Sequence, residues 1–260
     1  MRAVPRHCPV IPAFASSHAG LKRWFSIGAA ALAIATAEVR AQVIISHSGS
    51  TDPATEGWTR TSPTSGNVGA VTNDLGAGTA AWHVDDNSTV ATNYYNFTPS
   101  GSLIAQGAAQ GWTMSATMRL TTSAPHIGFM GFGYQDGTKD WEIYAEQTAG
   151  NDFVVRFYGV GAPSFALSGQ GNDYHTISMV FDPGSSTVDV FIDGVERISN
   201  FAGATYEVTQ IFFGGGSSNN MGEANYSAVQ FSAVPEPSTT AAILGAVALA
   251  GVAVVRRGRR

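Results

Sequence analysis

The stretch YHTISMVFDPGSSTVDVFIDGVERI, residues 174–198, decides the fold. Strands are predicted over residues 174–181, 187–192 and 195–198. Between the first two, Asp182, Pro183 and Gly184 stand where a β-turn favours these residue types. Between the last two, Asp193-Gly194 is a dipeptide typical of a two-residue hairpin. The stretch therefore predicts three consecutive strands joined by tight turns.

The clearest single strand lies upstream, over residues 112–122. Its apolar residues alternate with Thr, Ser and Arg, and they are Trp112, Met114, Ala116, Met118 and Leu120. A period of two over this length predicts one buried face and one wet face.

The rest of the chain contains further short segments that are predicted as strands. Further strands are predicted over residues 42–46, 80–84, 89–97, 127–134, 141–146, 153–158, 210–213 and 226–231. Residues 49–69 are predicted as a loop whose Trp58 closes one end of the core, and residues 85–88 as a turn. One short helix is predicted over residues 101–110, with Ser102 as its cap. Many short strands at regular spacing predict an all-β fold, an antiparallel β-sandwich.

The stretch after residue 173 resembles the laminin G-like and concanavalin A-like jelly-roll family. The resemblance lies in Tyr174-His175-Thr176, in the Asp182-Pro183 turn and in Val188-Asp189-Val190-Phe191-Ile192-Asp193-Gly194. It covers about 60 residues well, and the first half of the chain only by strand rhythm. It implies a jelly-roll domain over residues 42–233. Such domains often bind glycans, sometimes hydrolyse them, and in many members have no known ligand.

The N-terminus looks like a targeting segment. Basic residues precede an apolar run over residues 24–37, and Val39-Arg40-Ala41 offers a cut after Ala41, with Ala37 as a second candidate. This order predicts a signal peptide with a long leader over residues 1–41. The alternative is an uncleaved anchor, although an apolar run of about 14 residues is short for a membrane span.

The C-terminus has three parts in order. A Pro-Glu-Pro break is followed by an uncharged apolar segment and then by four arginines in five residues. Residues 238–255 meet the length of a transmembrane helix, roughly 17–25 residues. The arginines, Arg256, Arg257, Arg259 and Arg260, should remain on the cytoplasmic side as a membrane stop. The alternative is a buried C-terminal helix of the domain.

This tail, residues 234–260, resembles the PEP-CTERM sorting signal of Gram-negative bacteria. The sorting motif is Val234, Pro235, Glu236, Pro237 and Ser238. The resemblance implies a protein held briefly in the inner membrane, processed by an exosortase and released to the cell surface or the exopolysaccharide matrix. It implies nothing about what the delivered domain binds.

Charge and cysteine content exclude several functions. Residues 42–234 hold 5 basic and 17 acidic residues, a formal net charge of −12. An acidic domain without a basic patch is a poor nucleic-acid binder. The single cysteine, Cys8, lies in the leader, so the domain has no disulfide or thiolate metal site. We expect no cofactor.

Glu142 and Glu146 are the sharpest enzymatic candidates. They are four residues apart on one predicted strand, so both side chains point to the same face. This arrangement resembles the nucleophile and acid/base pair of laminarinase-type glycoside hydrolases, which implies a hydrolase or lyase. The assisting aspartate of that family is replaced by Tyr144. The alternative is two acids on a solvated strand face, with Trp141, Ile143 and Ala145 buried.

Calcium is the one metal that the sequence suggests. Asp85 and Asp86 form one candidate cluster, and Asp136 and Asp140 form another. Neither follows a recognised ligand spacing, and Asp also favours turns for its own reasons. The histidines, His47, His83, His126 and His175, lack metal spacing.

Four residues on the strands at 141–158 are candidate glycan contacts: Tyr144, Tyr158, Glu142 and Arg156. Most aromatic side chains should lie in the core, and Tyr144 and Tyr158 share strand faces with charged residues, so they are expected to be exposed. We therefore expect an exported, non-catalytic surface or matrix protein whose domain binds polysaccharide. The alternatives are a glycoside hydrolase or lyase and a purely structural matrix component.

Overall fold

A computed structural model describes residues 41–61, 66–76, 78–86, 92–121, 130–159, 161–215 and 222–234. The strands, in chain order, are β1 (Gln42–Ser48), β2 (Thr59–Thr61), β3 (Val68–Asp74), β4 (Thr79–Asp86), β5 (Asn93–Phe97), β6 (Trp112–Leu120), β7 (Met130–Asp136), β8 (Lys139–Gln147), β9 (Phe153–Phe157), β10 (Ser164–Leu167), β11 (His175–Asp182), β12 (Thr187–Ile192), β13 (Val195–Phe201), β14 (Ala204–Thr205), β15 (Thr209–Gly215) and β16 (Gly222–Ala233). One α-helix, α1 (Gly101–Gln110), and one 3₁₀ turn, Pro53–Glu56, complete the described elements.

The strands form two antiparallel sheets. Sheet I has the order β13-β12-β11-β6-β16-β4-β3, and β1 pairs with the C-terminal half of β16. Sheet II has the order β10-β9-β8-β7-β15-β5-β2, and β14 pairs with the start of β8. Within the described residues each sheet has eight strands, and the two together form an all-β sandwich.

The core lies between the two sheets. In β6 the burial alternates without a break, and the inward residues from Trp112 to Leu120 are at most 3 % exposed. Trp58 is also buried in this core and packs edge-on against Phe213, with ring centroids 5.0 Å apart. The Tyr226 hydroxyl of sheet I donates to the Gly131 carbonyl of sheet II at 3.0 Å, so a buried hydrogen bond links the layers.

Hydrogen bonds of Asp193 connect the turn between β12 and β13 to the start of β11. Asp193, in the hairpin turn, has a left-handed backbone with φ +51°. Its Oδ2 lies 2.7 Å from His175 Nδ1, and its Oδ1 accepts from the Thr176 amide at 2.9 Å. His175 is buried and stacks against Phe153. The His-Thr and Asp-Gly pairs noted in the sequence are therefore joined through space.

The predicted strands at 42–46, 112–122, 141–146, 174–181, 187–192, 195–198, 210–213 and 226–231 all overlap observed strands, and α1 has the predicted bounds. The loop predicted over residues 49–69 is wrong in part, because it contains β2 and the start of β3. The turn predicted over residues 85–88 is wrong for Asp85 and Asp86, which end β4. The predicted cap Ser102 is wrong too, because the Ser100 hydroxyl accepts from the Leu103 amide.

Val234 is the last described residue. Its amide donates to Gly111 O at 3.2 Å, and its carbonyl accepts from Gln106 Nε2 at 2.7 Å. The predicted signal peptide, the rest of the sorting motif, the span at 238–255, the arginine cluster and His126 lie outside the described residues. Among the residues described, no helix is long and apolar enough to cross a membrane.

Candidate functional site

The outer face of sheet II carries buried acidic side chains. Alternation along β8 places Trp141, Ile143 and Ala145 in the core, as predicted. It turns Asp140 and Glu142 to the opposite face, yet they are only 2 % and 6 % exposed. Both acids are therefore buried on a face that the sequence pattern marks as solvated.

Register across three strands builds the surroundings of these acids. Gln210 of β15, Gln135 of β7 and Asp140 of β8 are cross-strand neighbours in one row. The Gln210 amide Nε2 donates to Gln135 Oε1 at 2.9 Å. Phe212 and Glu142 flank β7 in the next row, on either side of Gly133.

Gly133 makes room for Phe212 between these strands. A Cβ at Gly133 would lie 2.7 Å from Cε1 of the Phe212 ring, closer than real Cβ contacts allow. The ring therefore lies over the glycine and beside Glu142. Phe212 itself is buried, and Tyr94 packs against it with ring centroids 5.8 Å apart.

A partly open cavity of about 210 Å³ lies on this face. The described residues that line it are Thr92, Tyr94, Gln135, Glu142, Tyr206, Gln210 and Phe212. Three are aromatic, two are amides and one is a carboxyl. We call this the sheet II cavity. Aromatic faces beside a few placed polar groups are the usual lining of a small-ligand site.

The two buried carboxyls influence each other. Burial raises the pKa of Asp140 to about 6. The pKa of Glu142 is raised well above its usual range, first by burial and then by the charge of Asp140. Burial, followed by the charge of Glu142, also raises the pKa of the Tyr144 hydroxyl, which hydrogen-bonds to Glu142. Such a pair titrates as a unit, and burial favours its protonated form.

The structure does not bring Glu142 and Glu146 to one site. Glu146 forms an ion pair with Arg156, whose side chain is 43 % exposed, and it is not among the described residues that line the cavity. The solvated-face alternative is also wrong for Glu142, because that residue is buried. The carboxyl that acts on Glu142 is Asp140, two residues before it.

The four candidate glycan contacts lie on β8, on β9 and directly after β9. Tyr144 and Tyr158 meet edge-on with ring centroids 5.9 Å apart. Tyr158 is 47 % exposed as expected, but Tyr144 is buried, contrary to the expectation. Of the four, Glu142 lines the cavity. Arg156 forms an ion pair with Glu146.

The candidate calcium ligands are separated in space. Asp85 is opposite Glu223 on sheet I, and Asp86 is fully buried near Gly215. Asp136 forms a turn, since its Oδ1 accepts from the amides of Thr138 and Lys139 at 2.8 and 2.7 Å. In the described part of the chain, no group of three or more His, Cys, Asp or Glu residues could hold a metal ion.

The outer face of sheet I carries a hydrogen-bonded network. Arg119 Nε and Nη2 donate to the two carboxylate oxygens of Asp74, both at 2.6 Å. The Tyr174 hydroxyl and the Asn225 amide also donate to Asp74, each at 2.7 Å. These donors, Arg119 first, hold the pKa of Asp74 far below its usual range. All of its partners lie within the fold.

Sequence reasoning missed Tyr94, Gln135, Tyr206, Gln210 and Phe212 as members of one site. Gln135 and Gln210 are 75 residues apart in sequence and meet only because β15 pairs with β7. Tyr206 directly follows the short strand β14, which was not predicted. The acids at 140 and 142 were the one available signal, as two carboxyls on the same face of a strand.

The two antiparallel sheets form a β-sandwich with a cavity on one outer face. A family model described as the lectin insertion of the Vibrio cholerae sialidase matches residues 98–237, more than half of the chain. The protein therefore belongs to the family of that lectin insertion. No curated protein matches the chain.

Solved structures share the fold at low identity. A carbohydrate esterase from the Shiga toxin-encoding bacteriophage phi24B aligns with TM-score 0.59 and 12 % identity, covering 75 % of this chain and 100 % of that chain. A sialidase aligns with TM-score 0.50 and 10 % identity, covering 76 % of this chain and 19 % of that one. The binding domain of botulinum neurotoxin DC gives TM-score 0.46 and 11 % identity, covering 79 % of this chain and 51 % of that one. The alignments with the esterase and the sialidase show a shared fold alone.

Proposed function

We propose that this protein is a non-catalytic, glycan-binding module of the jelly-roll, concanavalin A-like type that uses the sheet II cavity. The observation that carries the proposal is the lining of that cavity, which combines Tyr94, Tyr206 and Phe212 with two amides and a carboxyl. Membership of the lectin-insertion family supports the same function.

The chemistry of the lining suits a sugar ring. Carbon–hydrogen faces of a pyranose pack on aromatic rings, and sugar hydroxyls pair with amide and carboxyl groups. The cavity volume of about 210 Å³ suits a single sugar residue better than an oligosaccharide. Its partial opening leaves the rest of a polysaccharide in solvent.

We also propose that the module is exported and sorted. This part rests on the sequence of residues 234–260 and of the leader, and it places the protein briefly in the inner membrane of a Gram-negative bacterium, with an exosortase-type enzyme as its partner. The cell surface or the extracellular matrix would be its destination. The net charge of −12 over residues 42–234 disfavours a nucleic-acid ligand, because nucleic acid is also negatively charged.

The test is a glycan array probed with the full chain in mild detergent, followed by calorimetry on each hit. We expect binding to at least one glycan class. The variant Tyr206→Ala should weaken the affinity at least tenfold, about 1.4 kcal/mol, because Tyr206 forms a wall of the cavity and is 42 % exposed. Its exposure makes a folding defect unexpected.

The matched control is Tyr158→Ala, which removes a tyrosine of similar exposure from the same face but outside the described cavity lining. Its affinity should remain within about twofold of the wild type. Equal losses in both variants, or no glycan bound at all, would contradict the proposal.

One observation favours a second candidate, a glycoside hydrolase. Asp140 and Glu142 are buried carboxyls of raised pKa, and Glu142 lines the cavity, a pattern common at catalytic sites. A reducing-sugar assay on every array hit separates the candidates. Hydrolysis that disappears in Glu142→Gln would establish the enzyme, whereas binding without product supports the lectin.

A further inference from the structure

We propose that the sheet II cavity selects a glycan that carries a free ammonium group, a protonated amino sugar, and discriminates against sugars that carry a carboxylate. The inference rests on the proposed function and names the ligand class for the same cavity. It is carried by two buried acids without a cation, by the aromatic walls and by the absence of a basic group in the described lining.

The first step is a pair of buried acids that has no cationic partner among the described residues. Acidic side chains are almost never fully buried unless they are paired with a cation. None of the ion pairs among the described residues includes Asp140 or Glu142. The polar side chains that act on Glu142 are Asp140 and the Tyr144 hydroxyl, and neither supplies positive charge.

The second step is where this charge faces. Glu142 lines the cavity, and Asp140 lies next to it on the same strand face. A cation that enters the cavity would therefore meet the Glu142 carboxyl, with Asp140 next to it on the strand. An ammonium group at this position would lower the raised pKa of the acids and release their proton to solvent.

The third step concerns the walls. Tyr94, Tyr206 and Phe212 surround the acid with aromatic rings. The faces of such rings attract ammonium groups, and an acid among aromatic rings is a recurring cation site. Lys, Arg and His do not occur among the described residues of the lining, so a sugar carboxylate would find no counter-charge there.

The experiment titrates the full chain, in mild detergent and low salt, with methyl glycosides of glucosamine, galactosamine and mannosamine. Each is paired with its N-acetyl form, and N-acetylneuraminic acid and glucuronic acid serve as anionic probes. We expect at least one free amine to bind at least tenfold more tightly than its N-acetyl partner. Both anionic sugars should bind more weakly than any neutral probe that binds.

Two variants assign the preference to the cavity. Glu142→Gln keeps the side-chain shape and should reduce the amine preference to less than threefold. Glu146→Gln, the matched glutamate on the same strand face but outside the described lining, should preserve it. If Glu142→Gln fails to fold, Tyr206→Ala replaces it and should weaken amine binding at least tenfold.

The outcomes separate the two proposals. Binding of N-acetylated, neutral or anionic sugars as tightly as the amines overturns the selectivity but leaves glycan binding standing. An amine preference that survives in Glu142→Gln also overturns it. No binding of any probe here, together with a silent glycan array, overturns both.

Discussion

Asp193 shows how one side chain can fix a turn and a neighbouring strand together. It accepts from the Thr176 amide and pairs with the buried His175 ring, while its own amide donates to the Thr176 carbonyl at 2.8 Å. Its backbone is left-handed, a conformation that Asp and Asn tolerate better than most residues. The residue therefore joins the start of β11 to the β12–β13 turn.

Replacing Asp193 should cost stability without affecting the sheet II cavity. Asp193→Ala removes acceptors from His175 and Thr176, so we expect a loss of about 2–3 kcal/mol in unfolding free energy. Asp193→Asn keeps one acceptor and the backbone preference, and should lose about half as much. Urea denaturation measures both, with the exposed Glu196→Ala as control. Equal effects of Asp193→Ala and Glu196→Ala would contradict this account.

Glu142 makes stability depend on pH in a defined direction. A carboxyl whose pKa is higher in the folded chain than in the unfolded chain contributes fully below the unfolded pKa of about 4. That contribution is lost as pH rises towards the folded pKa. For Asp140 the loss falls between about pH 4 and its folded pKa of about 6, and for Glu142 the raised pKa gives a loss in the same direction.

Glu142→Gln should therefore be more stable relative to the wild type as pH rises. The difference in unfolding free energy, variant minus wild type, is expected to increase by about 1–3 kcal/mol between pH 4.5 and 8. Urea denaturation at several pH values measures it. Glu146→Gln, which removes a partly exposed carboxyl from the same strand, is the matched control. A constant difference for Glu142→Gln would show that its carboxyl is not desolvated.

At the scale of elements, β7 depends on its glycines. A Cβ at Gly131 would lie 1.9 Å from the Ile143 carbonyl oxygen of β8. The two backbones therefore approach more closely than a side chain permits. This approach also leaves β7 without bulky side chains on the outer face at Gly131 and Gly133, beside the sheet II cavity.

Gly131→Ala should be severely destabilising, by more than about 2 kcal/mol, because backbone must move to accept the methyl group. Gly69→Ala in β3 is the matched control: nothing lies within 4 Å of its Cβ position, so the change should be neutral or stabilise by up to about 1 kcal/mol. Thermal unfolding compares the two. Similar melting temperatures would mean that β7 and β8 are less tightly apposed than described.

Strands with a regular period could be predicted from the sequence, and irregular ones could not. β6 alternates over its whole length, and β11 to β13 are bounded by Pro, Gly and Asp turn signals. β2, β10 and β14 have only 3, 4 and 2 residues, which is too short for a period. β3 contains Gly69, Asn73 and Asp74, residue types that are typical of loops, although β3 is a strand that pairs with β4.

The candidate site was predictable only at β8. The local pattern placed Glu142 on the outer face correctly, but burial of that face depends on neighbouring strands and on Tyr206 after β14. Pairings such as β15 with β7 join residues about 75 positions apart, and no local period encodes them. The sequence therefore indicated an acid on a strand and missed the cavity around it.

At the scale of the whole molecule, the sandwich gives its two outer faces different roles. On the outer face of sheet I, the buried charge of Asp74 is bound within the fold by Arg119, Tyr174 and Asn225. On sheet II, the buried Glu142 lines a cavity whose described lining holds no cation, and the buried Asp140 lies next to it on the same strand. The domain's net charge of −12 favours a cationic ligand over an anionic one at long range.

The most direct test of the account is a crystal structure of the protein soaked with the methyl glycoside of an amino sugar. We predict one sugar ring in the sheet II cavity, packed against Tyr206 or Phe212, with its ammonium within hydrogen-bond distance of the Glu142 carboxyl. Sugar bound on the outer face of sheet I or at the ends of the strands, with the sheet II cavity empty, would contradict the account.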